Sequence, residues 1–133
     1  MNRRTFLALT TTLPFVARMA WAADAAPYSP EAVQAELAAG KTVVLDFSAS
    51  WCPSCQAQGR SISALRDENP GYAERLAFFV VDWDTYKDTD LAKQYGITRR
   101  GALVLLKGDQ VGAKTDTHST KDALKAMFDQ AIA

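Results

Sequence analysis

The sequence has few of the residues that cross-link small domains. It contains two cysteines and one histidine in 133 residues, which excludes a disulfide framework. A chain of this length buries a core large enough to fold without such cross-links. We therefore expect a single globular domain once any export signal is removed.

The chain also lacks an excess of charge of either sign. It has 15 basic and 15 acidic residues, and loss of Arg3, Arg4 and Arg18 with a leader would leave 12 basic residues against 15 acidic ones. A mildly acidic protein is poorly suited to bind nucleic acid or an anionic membrane surface. We expect no nucleic-acid partner.

The N-terminus has no apolar run long enough to span a membrane. Residues 6–16 are apolar, but threonines and Pro14 interrupt them, whereas a spanning helix needs about 20 apolar residues. A basic pair before this stretch and Ala20-Trp21-Ala22 after it are typical of a signal peptide.

The segment Arg3-Arg4-Thr5-Phe6-Leu7 further resembles a twin-arginine export signal. We predict that residues 1–22 are cleaved near Ala22 and that residues 23–133 form the domain. The mature protein is then periplasmic, with no stable membrane insertion. An uncleaved membrane anchor is the alternative.

Apolar runs typical of buried strands alternate with helical patterns along the mature chain. Their order is α-β-α-β-α-β-β-α, which predicts an α/β fold with a mixed sheet. The predicted elements are a helix from Ser29, strand 42–47, helix 52–67, strand 76–81, a short helix within 88–95, strands 102–106 and 110–114, and a helix capped by Ser119-Thr120.

Cys52 and Cys55 are separated only by Pro53 and Ser54. A bridge across so short a loop adds little stability, so its purpose is chemical. Cys52 follows a predicted strand at the start of a helix, where unpaired N–H groups and the helix dipole favour a thiolate. Cys55 lies about one turn later on the same face and can resolve a mixed disulfide.

Two metal-based interpretations of the cysteine pair are disfavoured. A structural zinc site needs four ligands, and the single histidine, His118, is far along the chain. Haem attachment needs a histidine after the second cysteine, where Gln56 stands. We assign no metal and no cofactor to the site.

Residues 45–55 (LDFSASWCPSC) resemble the active-site block of the thioredoxin family. Residues 93–97 (KQYGI) and 103–110 (LVLLKGDQ) resemble its substrate-loop approach and terminal hairpin. The resemblance implies a thioredoxin-like fold, a central mixed four-stranded sheet flanked by helices on both faces, with a first edge strand missing or very short. It implies that Cys52 is the nucleophile and Cys55 the resolving thiol.

The same resemblance places Asp46 at the family's buried acid, beneath Cys55. Burial in an apolar strand favours the neutral carboxyl and raises its pKa towards neutrality. From there Asp46 could exchange a proton with Cys55, although a hydrogen-bonded core aspartate is the alternative. Trp51 is expected to shield the thiols and line the substrate contact surface.

The chain departs from the family at the loop that faces the dithiol. The family's cis-proline position falls at Gly101, so the loop is expected to be trans or more mobile. Arg99 and Arg100 precede it; Arg100 would stabilise the Cys52 thiolate if it faces that sulfur, and is otherwise a solvated loop residue. The family's lysine near the buried acid falls at Val80.

These features predict a periplasmic thiol–disulfide oxidoreductase, an enzyme that reduces disulfides of exported proteins and receives electrons from a membrane dithiol donor. A periplasmic oxidant is the first alternative; Pro-Ser between the cysteines, rather than a histidine-bearing pair, disfavours a strong oxidant. A non-catalytic module that holds a metal or cluster through the dithiol is the second alternative, because Gly101 leaves room for a ligand.

Overall fold

The computed structural model describes residues 25–133. The export signal predicted for residues 1–22 lies outside the described residues. No helix in residues 25–133 has the length and apolar character needed to cross a membrane.

Helices and strands alternate through the described chain and confirm the α/β prediction. The strands are β1 (Ala26–Pro27), β2 (Thr42–Ser48), β3 (Leu76–Asp82), β4 (Leu103–Lys107) and β5 (Gln110–Lys114). The helices are α1 (Pro30–Ala38), α2 (Pro53–Glu68), α3 (Gly71–Arg75), α4 (Trp83–Tyr86), α5 (Asp90–Gln94) and α6 (Lys121–Ile132).

The strands form one mixed sheet in the order β1-β3-β2-β4-β5. The β1–β3 and β2–β3 pairs are parallel, while β2–β4 and β4–β5 are antiparallel. The prediction of four strands was wrong by one, because β1 spans only two residues and is too short to produce an apolar period. The expectation of a very short first edge strand is confirmed.

Apolar side chains of β2 alternate between two cores, one on each face of the sheet. Val43, Leu45 and Phe47 pack with Val33 of α1 on one face. Val44 packs on the other face with residues of α2 and α6. Helices therefore cover both faces, as predicted, and the centre of β2 is enclosed.

Side-chain caps fix the starts of the first and last helices. The Ser29 Oγ accepts a hydrogen bond from the Ala32 N–H at 3.4 Å, with Pro30 opening α1. The Thr120 Oγ1 accepts one from the Ala123 N–H at 3.2 Å and opens α6. Both helix starts agree with the cap residues of the sequence.

The two edges of the sheet differ in length and regularity. The β1 edge is two residues long. The β5 edge is mostly solvent-exposed, and its pairing with β4 shifts register between Leu105 and Leu106, as a β-bulge does.

Candidate active site

Cys52 is the N-cap residue of α2, four residues after the end of β2. Its backbone N–H donates to the Ala49 carbonyl at 3.2 Å. Its Sγ accepts a hydrogen bond from the Cys55 N–H at 3.3 Å. Both cysteines are free thiols and buried. The helix start therefore directs backbone N–H dipoles at the Cys52 sulfur.

The pKa values of the two thiols are shifted in opposite directions. Burial opposes ionisation of Cys52, but hydrogen bonds from Cys55, Arg100 and His118 outweigh it and lower the pKa of Cys52 to about 6. Burial raises the pKa of Cys55, and the neighbouring Cys52 adds to that rise. At neutral pH, Cys52 is therefore mostly thiolate and Cys55 holds its proton, as the predicted roles of nucleophile and resolving thiol require.

Asp46 is a buried carboxyl near the end of β2, with 6% of its surface exposed. Burial raises the pKa of Asp46 to about 7; a hydrogen bond from Gln58 lowers it, and the charge of Cys52 raises it further. Val80 lies beside Asp46 in the parallel register of β2 and β3. The expected rise in pKa is confirmed, and the proton-transfer role of Asp46 stays a prediction.

Asp46 also lines a cavity of about 520 Å³ between α2 and β3. Gln56 and Gly59 of α2 line the same cavity. Asp46 therefore lies at the wall of a cavity although little of its surface is exposed.

His118 lies beside both cysteines. Its Nε2 is 3.3 Å from the Cys55 Sγ and 3.8 Å from the Cys52 Sγ. The expectation that His118 lies far from the cysteines was therefore wrong. The chain between β5 and α6 returns to the active site and brings the imidazole to the two sulfurs.

Gly101 makes this position of His118 possible. Its φ of +81° is a left-handed conformation that favours glycine. A Cβ on Gly101 would lie 2.3 Å from the His118 Cδ2 and 2.5 Å from its Nε2. Every peptide bond in residues 25–133 is trans, which confirms the expected trans loop. The imidazole of His118 thus lies against residue 101.

Gln58 connects the parts of the site through one buried amide. Its Nε2 donates to the Gly101 carbonyl at 2.9 Å and, more weakly, to the Asp46 Oδ1 at 3.4 Å. Its Oε1 accepts from the Ser119 N–H at 2.8 Å. Gln58 therefore holds the glycine loop and the residue after His118 against α2.

This geometry agrees with comparisons with known proteins. The thioredoxin family model matches residues 25–130. The chain belongs to the thioredoxin family.

Relatives and solved structures of thioredoxins cover most of the domain. An H-type thioredoxin of Fagopyrum esculentum is 37% identical over 92 residues, 65% of this chain and 74% of its own length. Thioredoxin C-2 of Corynebacterium nephridii is 33% identical over 103 residues, 77% and 91% of the two chains. The crystal structure of Trxlp from Edwardsiella tarda superimposes with a TM-score of 0.68 at 27% identity, covering 79% of this chain and 98% of that one.

As a thioredoxin, the protein exchanges thiols and disulfides through Cys52 and Cys55. For the reductive direction, the acidities of the two thiols predict that the Cys52 thiolate attacks one sulfur of a substrate disulfide and that the other substrate sulfur leaves as a thiolate. Cys55 then gives up its proton and attacks the Cys52 sulfur. The second substrate thiolate leaves, the Cys52–Cys55 disulfide remains, and two electrons have passed to the substrate; the same steps in reverse pass two electrons to the protein.

Trp51 and Arg100 form the exposed rim of this thioredoxin site. Trp51 is 56% exposed, and its Nε1 donates to the Asp84 Oδ2 at 2.7 Å. The Arg100 guanidinium lies 4.5 Å from the Trp51 ring centroid, and it contributes to the lowered pKa of Cys52. Arg100 therefore faces the nucleophile, the first of its two sequence interpretations. A role for either residue in substrate contact stays a prediction.

Two residues of the site were missed from the sequence, His118 and Gln58. A sequence signal was available for each. For His118 the signal was Gly101, a residue without a side chain where the family has proline, which leaves space for another group. For Gln58 the signal was its spacing, because it follows Cys55 by three residues and lies on the same face of α2.

Proposed function

We propose that this thioredoxin acts in the periplasm as a reductant of protein disulfides. The observation that carries the exchange activity is the pairing of the low-pKa Cys52 with a buried carboxyl, Asp46, whose pKa is about 7. The reductive direction is proposed because Pro53-Ser54, with no histidine between the cysteines, disfavours a strong oxidant. Release of a reduced substrate requires Cys55 to lose its proton, and Asp46 is the buried base available for that step.

A reductant must itself be reduced after each turnover. Because we propose a periplasmic location on the basis of residues 1–22, soluble cytoplasmic donors are out of reach. We propose that a membrane protein with its own dithiol supplies the electrons by exchange with the Cys52–Cys55 disulfide.

A periplasmic oxidant is the second candidate, and His118 favours it. The sequence offers no histidine between the cysteines, but the fold brings the imidazole to 3.8 Å from the Cys52 Sγ. Donors to the thiolate stabilise the reduced form of the enzyme and make its disulfide a stronger oxidant. Asp46 favours fast exchange in either direction, so electron flow must be measured.

Thiol trapping in intact cells distinguishes the two candidates. Acid quenching followed by alkylation with a mass tag reports the fraction of Cys52 and Cys55 that is free. A mostly reduced pair supports the reductant, and a mostly oxidised pair supports the oxidant. Replacing Arg3 and Arg4 by lysine provides the control for location, because twin-arginine export should then stop. Unchanged export of that variant would contradict the twin-arginine assignment.

The roles of the two cysteines are tested by mixed-disulfide capture. Cys55→Ser should accumulate covalent complexes with substrate proteins through Cys52, since nothing resolves them. Cys52→Ser should accumulate few, because Cys55 is buried and holds its proton. Non-reducing gels after acid quenching give the measurement. Equal capture by both variants would contradict the assignment.

A further inference from the structure

Three metal-ligating atoms converge at the reduced site: the Sγ atoms of Cys52 and Cys55 and the Nε2 of His118. All three lie within 4.8 Å of one another. We propose that the reduced protein binds a thiophilic d¹⁰ cation, Zn²⁺ or Cu⁺, through these three residues. This goes beyond the proposed function, because thiol–disulfide exchange uses only the two sulfurs.

The separations suit direct coordination. A tetrahedral zinc ion with bonds of about 2.3 Å to sulfur and about 2.0 Å to nitrogen sets these two ligand atoms about 3.5 Å apart. The His118 Nε2 is 3.3 Å from one sulfur and 3.8 Å from the other. Shifts of a few tenths of an ångström would therefore bring both pairs to the coordination distance.

The imidazole of His118 is held in place on two sides. Its Nδ1 is 3.3 Å from the Thr117 Oγ1, which leaves Nε2 to face the sulfurs. The next residue, Ser119, donates its N–H to the buried Gln58 amide. Hydrogen bonding to the second ring nitrogen and anchoring of the chain are what orient histidine ligands at metal sites.

Gly101 is the condition for this ligand set. Any side chain there would begin 2.3 Å from the His118 ring. A residue with a Cβ at position 101 would consequently push the imidazole away from the cysteines. Glycine in place of the loop proline thus leaves room for the imidazole of His118 beside the two cysteines.

The ligand types select the class of ion. Two thiolates and an imidazole favour Zn²⁺ and Cu⁺ over hard cations such as Mg²⁺ and Ca²⁺. No other His, Cys, Asp or Glu of residues 25–133 joins the cluster, so a fourth position is left for water or for a donor from a partner. Binding displaces the thiol protons to solvent and transfers no electron, and the Cys52–Cys55 disulfide cannot form while the ion is bound.

The test uses the mature, reduced protein under anaerobic conditions. Co²⁺ serves as the spectroscopic probe, Zn²⁺ is titrated against a chromophoric chelator, and Cu⁺ is titrated against a second chelator in a parallel arm. We expect one ion per chain, thiolate-to-cobalt charge-transfer bands in the near ultraviolet, and no binding by the oxidised protein. The two titrations show which ion is preferred.

Two variants test the third ligand. His118→Ala should weaken binding at least tenfold and change the cobalt spectrum, while both cysteines remain. Gly101→Ala should do the same by displacing the ring. Gly108→Ala is its matched control, because Gly108 also has a positive φ of +62° but has open space where the Cβ would be. It should bind as the parent does.

Failure of this proposal is separable from failure of the proposed function. Insulin reduction in the presence of a chelator measures the redox activity alone. Absence of binding to all three ions, or equal affinity in the parent and His118→Ala, would overturn the metal site even if insulin is reduced. Metal binding without insulin reduction would leave the metal site supported and contradict the redox function.

Discussion

Three groups act against burial to lower the pKa of Cys52: the Cys55 backbone N–H, which hydrogen-bonds to the sulfur, the Arg100 guanidinium and the His118 imidazole. Each donor stabilises the thiolate more than the thiol, and together they overcome the cost of burial. The acidity of this one atom is therefore distributed over α2, the loop before β4 and the segment before α6. Substitution of a single one of these groups should therefore produce a measurable rise in the pKa of Cys52.

We expect His118→Ala to raise the pKa of Cys52. The midpoint of the pH profile for alkylation by iodoacetamide, measured on reduced protein with a chelator present, should move upward from about 6. Lys125→Ala is the control, because it removes a charged residue whose partner is the half-exposed Asp129, on α6. An unchanged midpoint in His118→Ala would show that the imidazole does not act on Cys52.

Asp46→Asn should remove a pH dependence of stability. The pKa of Asp46 rises from an ordinary 3.8 to about 7 on folding. Its contribution to the free energy of unfolding is therefore complete below a pH of about 4 and is lost as the pH rises through 7. At pH 8 the variant should be more stable by up to about 4 kcal/mol, since one pKa unit corresponds to about 1.4 kcal/mol. At pH 4 the two should agree.

Urea unfolding of the parent and of Asp46→Asn at both pH values measures this difference. Cys52 and Cys55 are common to both proteins, so their own titration largely cancels in the difference. Slower insulin reduction by the variant at neutral pH would support proton transfer through Asp46. A parent stability that does not fall between pH 4 and 8 relative to the variant would contradict the raised pKa.

The cysteines could be predicted from their spacing and their place between a strand and a helix, and Asp46 from its place in the segment that resembles the thioredoxin active-site block. His118 is 63 and 66 residues from the two sulfurs it contacts. No local pattern encodes such a contact, which depends on the path of the chain after β5. Gln58 was missed for a related reason, since three of its partners lie on other elements.

At the scale of secondary-structure elements, Gln58 hydrogen-bonds α2 to the loop before β4 and to the segment before α6. We expect Gln58→Ala to destabilise the protein by roughly 2–4 kcal/mol, because the buried Gly101 carbonyl and Ser119 N–H both lose their partner. Urea unfolding gives the measurement. Gln56→Ala is the matched control: its amide also bonds to backbone carbonyls, at 3.3 and 3.4 Å, but its residue is exposed. A loss no larger than that of the control would contradict the role of Gln58.

Restoring the family's proline at the loop should harm this protein. Proline requires a φ near −65°, whereas Gly101 has a φ of +81°, and its ring would collide with His118. Gly101→Pro should lower stability by more than about 1 kcal/mol. Thermal unfolding compared with Gly108→Ala measures it. A stability equal to that of the parent would show that the loop readily adopts another conformation.

The longer elements could be predicted because burial gives them a period and their ends carry caps. Predicted strand 110–114 matches β5, and predicted helix 52–67 differs from α2 by one residue at each end. The single-turn helices α3 and α4 were not predicted, since four or five residues carry no period. The short helix predicted within 88–95 is α5, which occupies only Asp90–Gln94.

At the scale of the whole molecule, the two redox states should respond differently to pH. The pKa of Cys52 falls from an ordinary 9.0 to about 6 on folding. The contribution of Cys52 to the free energy of unfolding of the reduced protein is complete above pH 9 and is lost as the pH falls through 6. The free energy of unfolding of the reduced form, relative to the oxidised form, should therefore increase between pH 6 and 8.

Urea unfolding of both forms at the two pH values tests this expectation. Asp46 is present in both forms and largely cancels in the difference. A difference that decreases with pH would contradict the lowered pKa of Cys52.

The edges of the sheet have a consequence for an enzyme that acts on protein thiols and disulfides. An open strand edge invites a visiting polypeptide to add itself as a further strand, which leads to aggregation. Here β1 offers only two residues, while β5 carries Lys114 and adjoins a bulge. Both edges of the sheet are therefore poor templates, so a protein substrate can approach Cys52 and leave again without adding a strand to the sheet.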